Sequence, residues 1–307
     1  MNEKFSKAAI IGVGLIGSSL ARALREAGLA ETIIGFDQSA DVRARAVGCG
    51  AVDAAVQTLK EALGGADLIV VSTPVGAVAE ILAGVAKEAE PGALVVDVGS
   101  VKGAVVNAAA AISTRAFIVP CHPVAGTEQS GPEAGFAALF RDRWSIITPL
   151  PRQDEEYLAA VARAAGVWRA VGAHVEIMDH EHHDLALAIT SHLPHLIAFT
   201  LVGAADDLES VTEAEIVKYS AGGFRDFTRI AASDPVMWRD VFLNNKAAIL
   251  EVLGRFSEEL ALLQRAIRWG DADTLESVFA RGRTLRRAIV AAGQEKDVPN
   301  FGRDEKD

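Results

Sequence analysis

The apolar run Ala8–Ile11 leads directly into Gly12-Val13-Gly14-Leu15-Ile16-Gly17 and then into the Ala/Leu-rich stretch Ser18–Ala27. A buried strand, a G-x-G-x-x-G turn and a helix in this order form a dinucleotide-binding fingerprint. Gly12 permits the tight turn, Gly14 lets the backbone approach a pyrophosphate, and Gly17 lets helix pack on strand. Leu15 and Ile16 open the helix whose free N–H groups face the phosphates. The second apolar run ends in Asp37, 25 residues after Gly12. A carboxylate there accepts from both ribose hydroxyls and repels a 2′-phosphate, so the expected cofactor is NAD rather than NADP. Arg43 and Arg45 on the next helix leave some use of NADP open.

The same alternation continues through the first half of the chain. Thr32–Phe36, Leu68–Val71, Leu94–Val96 and Phe117–Val119 are short, β-branched and apolar on both faces, as strands of a buried parallel sheet are. Helical stretches, Val75–Lys87 and Lys102–Ile112 among them, separate them. Trp144–Thr148 and a strand near His174–Ile177 complete the expected domain. The fold class is therefore α/β: a Rossmann-like, doubly wound, mostly parallel sheet. Past Met178 strand patterns stop and helical periodicity runs from Asp184 to about Gly203, from Pro235 to about Trp269 and from about Ala272 to Ala292. The expected organisation is a dinucleotide-binding domain over 1–178, an all-helical substrate and dimerisation domain over 179–294, and a mobile polar tail over 295–307.

Three segments should meet at the carboxyl edge of that sheet. Ser72-Thr73-Pro74 follows the third strand on the cofactor side; an ordinary helix-starting turn explains the same residues. The second segment, Asp97-Val98-Gly99-Ser100-Val101-Lys102-Gly103, follows the fourth strand, and Cys121-His122-Pro123 follows the fifth. His122 sits where a strand gives way to a proline-stiffened turn. An imidazole held there beside a nicotinamide can take a proton from a hydroxyl whose carbon loses hydride, with Ser100 as its partner. Cys121 and His122 are strand neighbours pointing to opposite faces, which argues against a Cys–His nucleophile.

Four motifs carry a resemblance to a known family: HPVAGTEQSG, the GSVKG turn, SHLPH at Ser191–His195 and GGFRDFTRIAASDPVMWRD at Gly222–Asp240. In their order and over nearly the whole chain they resemble the prephenate/arogenate (cyclohexadienyl) dehydrogenases. The resemblance implies NAD-dependent oxidative decarboxylation of prephenate to 4-hydroxyphenylpyruvate in tyrosine synthesis, or of arogenate to tyrosine. It implies that His122 bonds the ring hydroxyl, that Ser100 lies near it, and that Glu128 sits at the rim. It further implies that His195 is a substrate-side histidine, that Arg229 holds a carboxylate, that Arg225 occupies a basic position and that Trp238 lines the pocket. The residues agree on one point independently. A dianionic substrate needs cations, and Arg225 and Arg229 are four apart, hence on one face if the segment is helical. Surface pairing of Arg225 with Asp226 is the competing explanation.

His180, His182, His183, Asp184, His192 and His195 crowd together, yet show no established metal spacing, so no metal is expected. A helix-start hydrogen-bond network is the expectation for His183-Asp184. The net charge of −11, with no basic tract, argues against nucleic acid as a partner. Two isolated cysteines suit a reducing, cytoplasmic setting. No uninterrupted apolar stretch reaches the roughly 18–20 residues of a membrane span. Apolar helical faces in the second half point to a homodimer. The competing functions are a β-hydroxyacid or imine-type reductase using Lys102, and an NAD-binding sensor without turnover.

Overall fold

The computed structural model describes residues 4–127, 129–207 and 222–291. Six strands form one parallel sheet: β1 (Phe5–Ile11), β2 (Ala30–Phe36), β3 (Ala54–Val56), β4 (Leu68–Val71), β5 (Leu94–Asp97) and β6 (Phe117–Val119), in the order β3-β2-β1-β4-β5-β6. The order reverses between β1 and β4. A crevice therefore opens beyond their carboxyl ends, where open α/β sheets bind ligands. The register aligns Ile11 with Val71 and Val71 with Asp97, bringing the loops after β1, β4 and β5 to the same edge. Both faces of the sheet are buried. Ile10, Leu68, Val70 and Val96 pack with Leu20, Leu24 and Trp168 on one side; Ile11, Ile69, Val71 and Val95 pack with Leu82 and Val85 on the other.

Trp144 and His174 begin strands of a second sheet rather than extending the first. This sheet has the order β7 (Cys121–Pro123), β8 (Trp144–Ile147), β9 (His174–Ile177), with β7–β8 antiparallel. Pro120 causes the split. It has no N–H for the ladder, so β6 stops at Val119 and the chain restarts as β7. The amide of Cys121 donates instead to Asp97 Oδ1 at 2.8 Å. His122 is accordingly not on a turn, as expected from sequence, but on β7, opposite Ile146 of β8.

Helix α1 (Leu15–Glu26) follows the glycine loop, and α2 (Ala40–Gly48), α3 (Leu59–Leu63), α4 (Val78–Glu88), α5 (Lys102–Ala110) and α6 (Glu155–Ala170) clothe the sheet. Beyond β9, Asp179 caps α7 (His180–Leu187), accepting from the amide of His182 at 2.7 Å. A single π-helical turn, Ala188–His192, then leads into α8 (Leu193–Asp206). Pro194 lacks the amide that would continue the α-helical ladder, and the turn widens there. The run His180–Ala205 is long and apolar enough by length and composition to cross a bilayer. It nevertheless carries His183, Asp184 and His192 at buried, hydrogen-bonded positions, an arrangement suited to packing within protein.

By its internal contacts the chain divides into compact units Met1–Lys246 and Ala247–Asp307. Asp184 accepts from the amides of Lys102 and Gly103 at 2.7 and 2.8 Å, capping α5 from a distance and fastening α7 to the sheet domain. The second unit is described as far as Ala291 and is helical, with Ala272–Ala291 following the long helix that starts at Lys246. Leu250, Leu260, Ile267, Trp269, Phe279 and Leu285 are exposed along it. Residues 295–307, expected to be a mobile tail, lie outside the described residues.

Candidate active site

The glycine loop is built by close packing. A Cβ on Gly12 (φ +91°) would lie 2.5 Å from the carbonyl oxygen of Ser72, and one on Gly17 2.1 Å from that of Gly12. At Gly14 a Cβ would meet nothing within 4 Å. That open face, before an α1 N-terminus with no side-chain cap, is room for a diphosphate with unspent N–H donors behind it. Asp37 reaches the loop from β2, its Oδ2 3.3 Å from the amide of Val13 and its Oδ1 3.0 Å from that of Ser39. Arg43 donates to the carbonyls of Asp37 and Gln38, and Arg45 to Glu133 and Asp41. Arg45 is thus paired with two carboxylates, whereas Arg43 bonds only neutral carbonyls through Nη1 and keeps its charge beside Asp37. Ser72 Oγ bonds the carbonyls of Ile11 and Gly12, tying β4 to the loop. Thr73 Oγ1 is buried without a protein partner among the described residues, and Pro74 opens the turn Val75–Ala77. The residues fit a dinucleotide.

Imidazoles gather beyond the same edge. Nδ1 of His122 lies 2.8 Å from Nε2 of His183, whose Nδ1 lies 2.8 Å from Asp184 Oδ1. Asn245 uses its two amide hydrogens on the Asp184 carbonyl (2.8 Å) and on Nδ1 of His192 (3.1 Å). His192 must then carry its hydrogen on Nε2, which is buried with no protein partner among the described residues. His192 meets the edge of Trp238, and Trp238 stacks on His195 with centroids 3.7 Å apart. Nδ1 of His195 donates to the Ser191 carbonyl at 2.9 Å. Contacts therefore run unbroken from His122 to His195, inside one compact unit.

Burial, then the charges of His183, Lys102 and His192, hold the basicity of His122 well below the usual histidine value. Burial also lowers His183, and it depresses His195, where the nearby charge of Arg229 adds to the effect. For Asp184 burial acts upward, but bonds from His183 and the amides of Lys102 and Gly103 outweigh it and keep the carboxyl below its ordinary range. Burial first, and then the charge of Asp97, push the Cys121 thiol up to about 12, so that neighbour of His122 is no nucleophile. Lys102 is fully buried, paired with Asp97 and bonded to the Cys121 carbonyl. It ties β5 to β7, and its ammonium is buried and committed to those two acceptors, which argues against the reductase alternative that required it.

The remaining expected residues are placed less uniformly. Ser100 is half-buried in the loop after β5. Trp238 is buried in the helix Pro235–Asn244 that Asp234 caps, with no partner for Nε1 among the described residues. The helix Gly222–Thr228 gives way to a 3-10 turn at Arg229, so Arg225 and Arg229 do not share one regular α-helix. Arg225 is exposed and sits 3.4 Å from Asp226, the surface pairing weighed from sequence. Glu128 lies outside the described residues. His183, Asp184, His192 and Asn245 were missed as site residues; the crowding of histidines was a signal, but their partners are remote in sequence.

The buried imidazoles set an acid limit on stability. The basicity of His192 is held down by burial to about 4, against 6.5 for an ordinary histidine. A histidine depressed in the fold stabilises fully above its unfolded value and loses that contribution as pH falls toward the folded one. Urea midpoints should therefore decline from about pH 6.5 to about pH 4, with His192 alone worth about 3 kcal/mol across that window. Midpoints that stay flat over this range would contradict the neutral, buried placement.

A glycine loop at the topological switch point, an acid at the end of β2 and an imidazole at the sheet's carboxyl edge define a dinucleotide-dependent dehydrogenase. The prephenate dehydrogenase nucleotide-binding domain family matches residues 20–177, and the prephenate dehydrogenase dimerization domain family matches 179–281. Cyclohexadienyl dehydrogenase of Zymomonas mobilis is 40% identical over 93% of this chain and 96% of its own. Prephenate dehydrogenase of Bacillus subtilis is 32% identical over 98% and 80%. The crystal structure of Aquifex aeolicus prephenate dehydrogenase in complex with hydroxyphenyl propionate and NAD+ superposes with a TM-score of 0.80 at 32% identity, covering 94% of this chain and all of that one. The chain belongs to the prephenate dehydrogenase family, and is an NAD-dependent oxidoreductase.

Proposed function

We propose that this chain converts prephenate to 4-hydroxyphenylpyruvate and carbon dioxide, with His122 as the base. NAD+ supplies the hydride acceptor. Arg229 grips a substrate carboxylate and His195, neutral and with Nδ1 committed to Ser191, presents Nε2 as an acceptor beside it. Trp238 supplies an apolar wall, and Ser100 lies on the loop facing the same edge. His122 takes the proton of the ring hydroxyl as hydride leaves that carbon. The ring carboxylate departs as carbon dioxide, its bonding pair entering the ring, and the proton returns to the phenolic oxygen. Aromatisation supplies the driving force, so the protein's part is to position reactants and hold charge. The observation that carries this reading is His122 itself: Nδ1 is bonded to His183, and Nε2 has no protein partner among the described residues.

Arogenate is the second reading, favoured by the 27% identical Synechocystis arogenate dehydrogenase structure, with a TM-score of 0.74 over 92% of this chain, and by the cyclohexadienyl relative. Steady-state rates with prephenate and arogenate, each with NAD+ and NADP+, test both. Prephenate with NAD+ should give the highest kcat/KM; no turnover of either acid would overturn the proposal. Asp37→Asn removes the charge that repels a 2′-phosphate, and should raise kcat/KM for NADP+ about tenfold, since like-charge repulsion at such range is on the order of 1 kcal/mol or more. An unchanged cofactor ratio would place specificity elsewhere.

The exposed apolar residues of Ala247–Ala291 and the match to a dimerization domain support a homodimer formed through the helical half. Two free cysteines, one of them buried, suit a reducing cytoplasm.

A further inference from the structure

We infer that Asp184 and His183 are positioning residues for the proposed base: a hydrogen-bonded chain Asp184–His183–His122 that fixes the tautomer of His122 and takes up its charge. The inference rests on the reading of His122 as base. The amides of Lys102 and Gly103 point at the two oxygens of Asp184, at 2.7 and 2.8 Å. An amide can only donate, so both oxygens act as acceptors and the group is held as a carboxylate. Nδ1 of His183, 2.8 Å from Oδ1, must then carry the hydrogen. A neutral His183 consequently has its lone pair on Nε2, which lies 2.8 Å from Nδ1 of His122. That contact requires the hydrogen to sit on Nδ1 of His122. The lone pair of His122 is thereby confined to Nε2, the nitrogen without a protein partner. With the opposite tautomer, Nε2 would carry hydrogen and could not accept one.

The chain also moves charge. When Nε2 of His122 gains the hydroxyl proton, Nδ1–H can pass its own proton to Nε2 of His183. The positive charge then sits against Asp184, and no atom is gained or lost beyond the one proton shifted along. The charged and titratable groups facing the pair are Asp97 on β5, Lys102 on α5, His192 in the π-helical turn and Asp184 on α7. Lys102 is paired with Asp97, which leaves Asp184 as the anion bonded directly to the chain.

The first test is the tautomers in the wild-type holoprotein, read by long-range ¹H–¹⁵N spectra of ¹⁵N-histidine-labelled protein near pH 7.5. The chain requires Nδ1–H on both His122 and His183; Nε2–H on either ring overturns it whatever the activity. The second is His183→Phe, which leaves Asp184 bonded to the amides that open α5. It should lower kcat at least tenfold, leave KM for NAD+ within twofold, and move the acid limb of kcat/KM to lower pH because the His122 imidazolium loses its acceptor. A purely structural role would lower activity without moving that limb. Wild-type kcat and limb in His183→Phe, beside an inactive His122→Asn, overturn the chain and leave His122 as base. An active His122→Asn overturns the base assignment and the chain's catalytic role with it.

Discussion

His122→Asn should lose about a thousandfold in kcat while its affinity for NAD+ stays within twofold of wild type. General acid–base groups contribute on the order of 10²–10⁴, and the proton on the ring hydroxyl has no other neutral imidazole with an unengaged acceptor nitrogen on β7. The cofactor prediction follows from distance in the chain. Gly12–Gly17 and Asp37 are held by β1, β2 and β4, whereas His122 belongs to the second sheet, fixed opposite Ile146. Removing its ring leaves Gly14's open face and the α1 N-terminus untouched. The wild-type acid limb of kcat/KM should also lie below the ordinary histidine range, since burial and neighbouring charges keep His122 neutral to lower pH. Isothermal titration with NAD+ and a rate measurement on the same sample check both halves. Loss of cofactor binding alongside turnover would indicate a structural defect instead.

Arg229→Ala should raise KM for prephenate roughly 50-fold and change kcat and KM for NAD+ little. A charge-assisted bond of guanidinium to carboxylate contributes about 1.5–3 kcal/mol, and such a loss made equally in ground and transition states appears in KM. Arg229 lies close enough to His195 for its charge to depress that imidazole. His195 in turn stacks on Trp238, which adjoins His192 and, through Asn245, Asp184. Arg225→Ala is the internal control. Its exposed side chain sits against Asp226, and its removal should alter KM less than threefold. Equal effects at the two arginines would mean that both grip substrate. No effect at Arg229 would mean that another cation does.

The parallel sheet was legible because its strands are buried on both faces and read as unbroken β-branched runs. β3 was not: Ala54-Ala55-Val56 is three residues with little β-propensity and has no pattern outside its pairing with β2. β7 was hidden by proximity. Only Pro120 separates it from β6, and nothing local tells a strand that ends from one that changes sheet. The cofactor cradle was legible because its parts are consecutive or follow successive strands. The proton-handling half was legible only at His122, whose place at a strand end could be counted from the alternation. Asp184 meets Lys102 across 82 residues and Asn245 meets Asp184 across 61. Contacts of that span leave no period in a single sequence, so His183-Asp184 read as a helix-start network. They do begin a helix, and their remaining bonds reach α5 and β7.

In the proposed reaction an imidazole from the second sheet and a guanidinium from the helical half serve one substrate beside the cofactor ring. A crystal structure of the enzyme with NAD+ and a 4-hydroxyphenyl carboxylic acid tests it directly. Nε2 of His122 should lie within about 3 Å of the ring hydroxyl, at hydrogen-bond distance, with Arg229 on the carboxylate. A ligand bound with its hydroxyl away from His122, or with its carboxylate held by other residues while Arg229 stays in solvent, would contradict it.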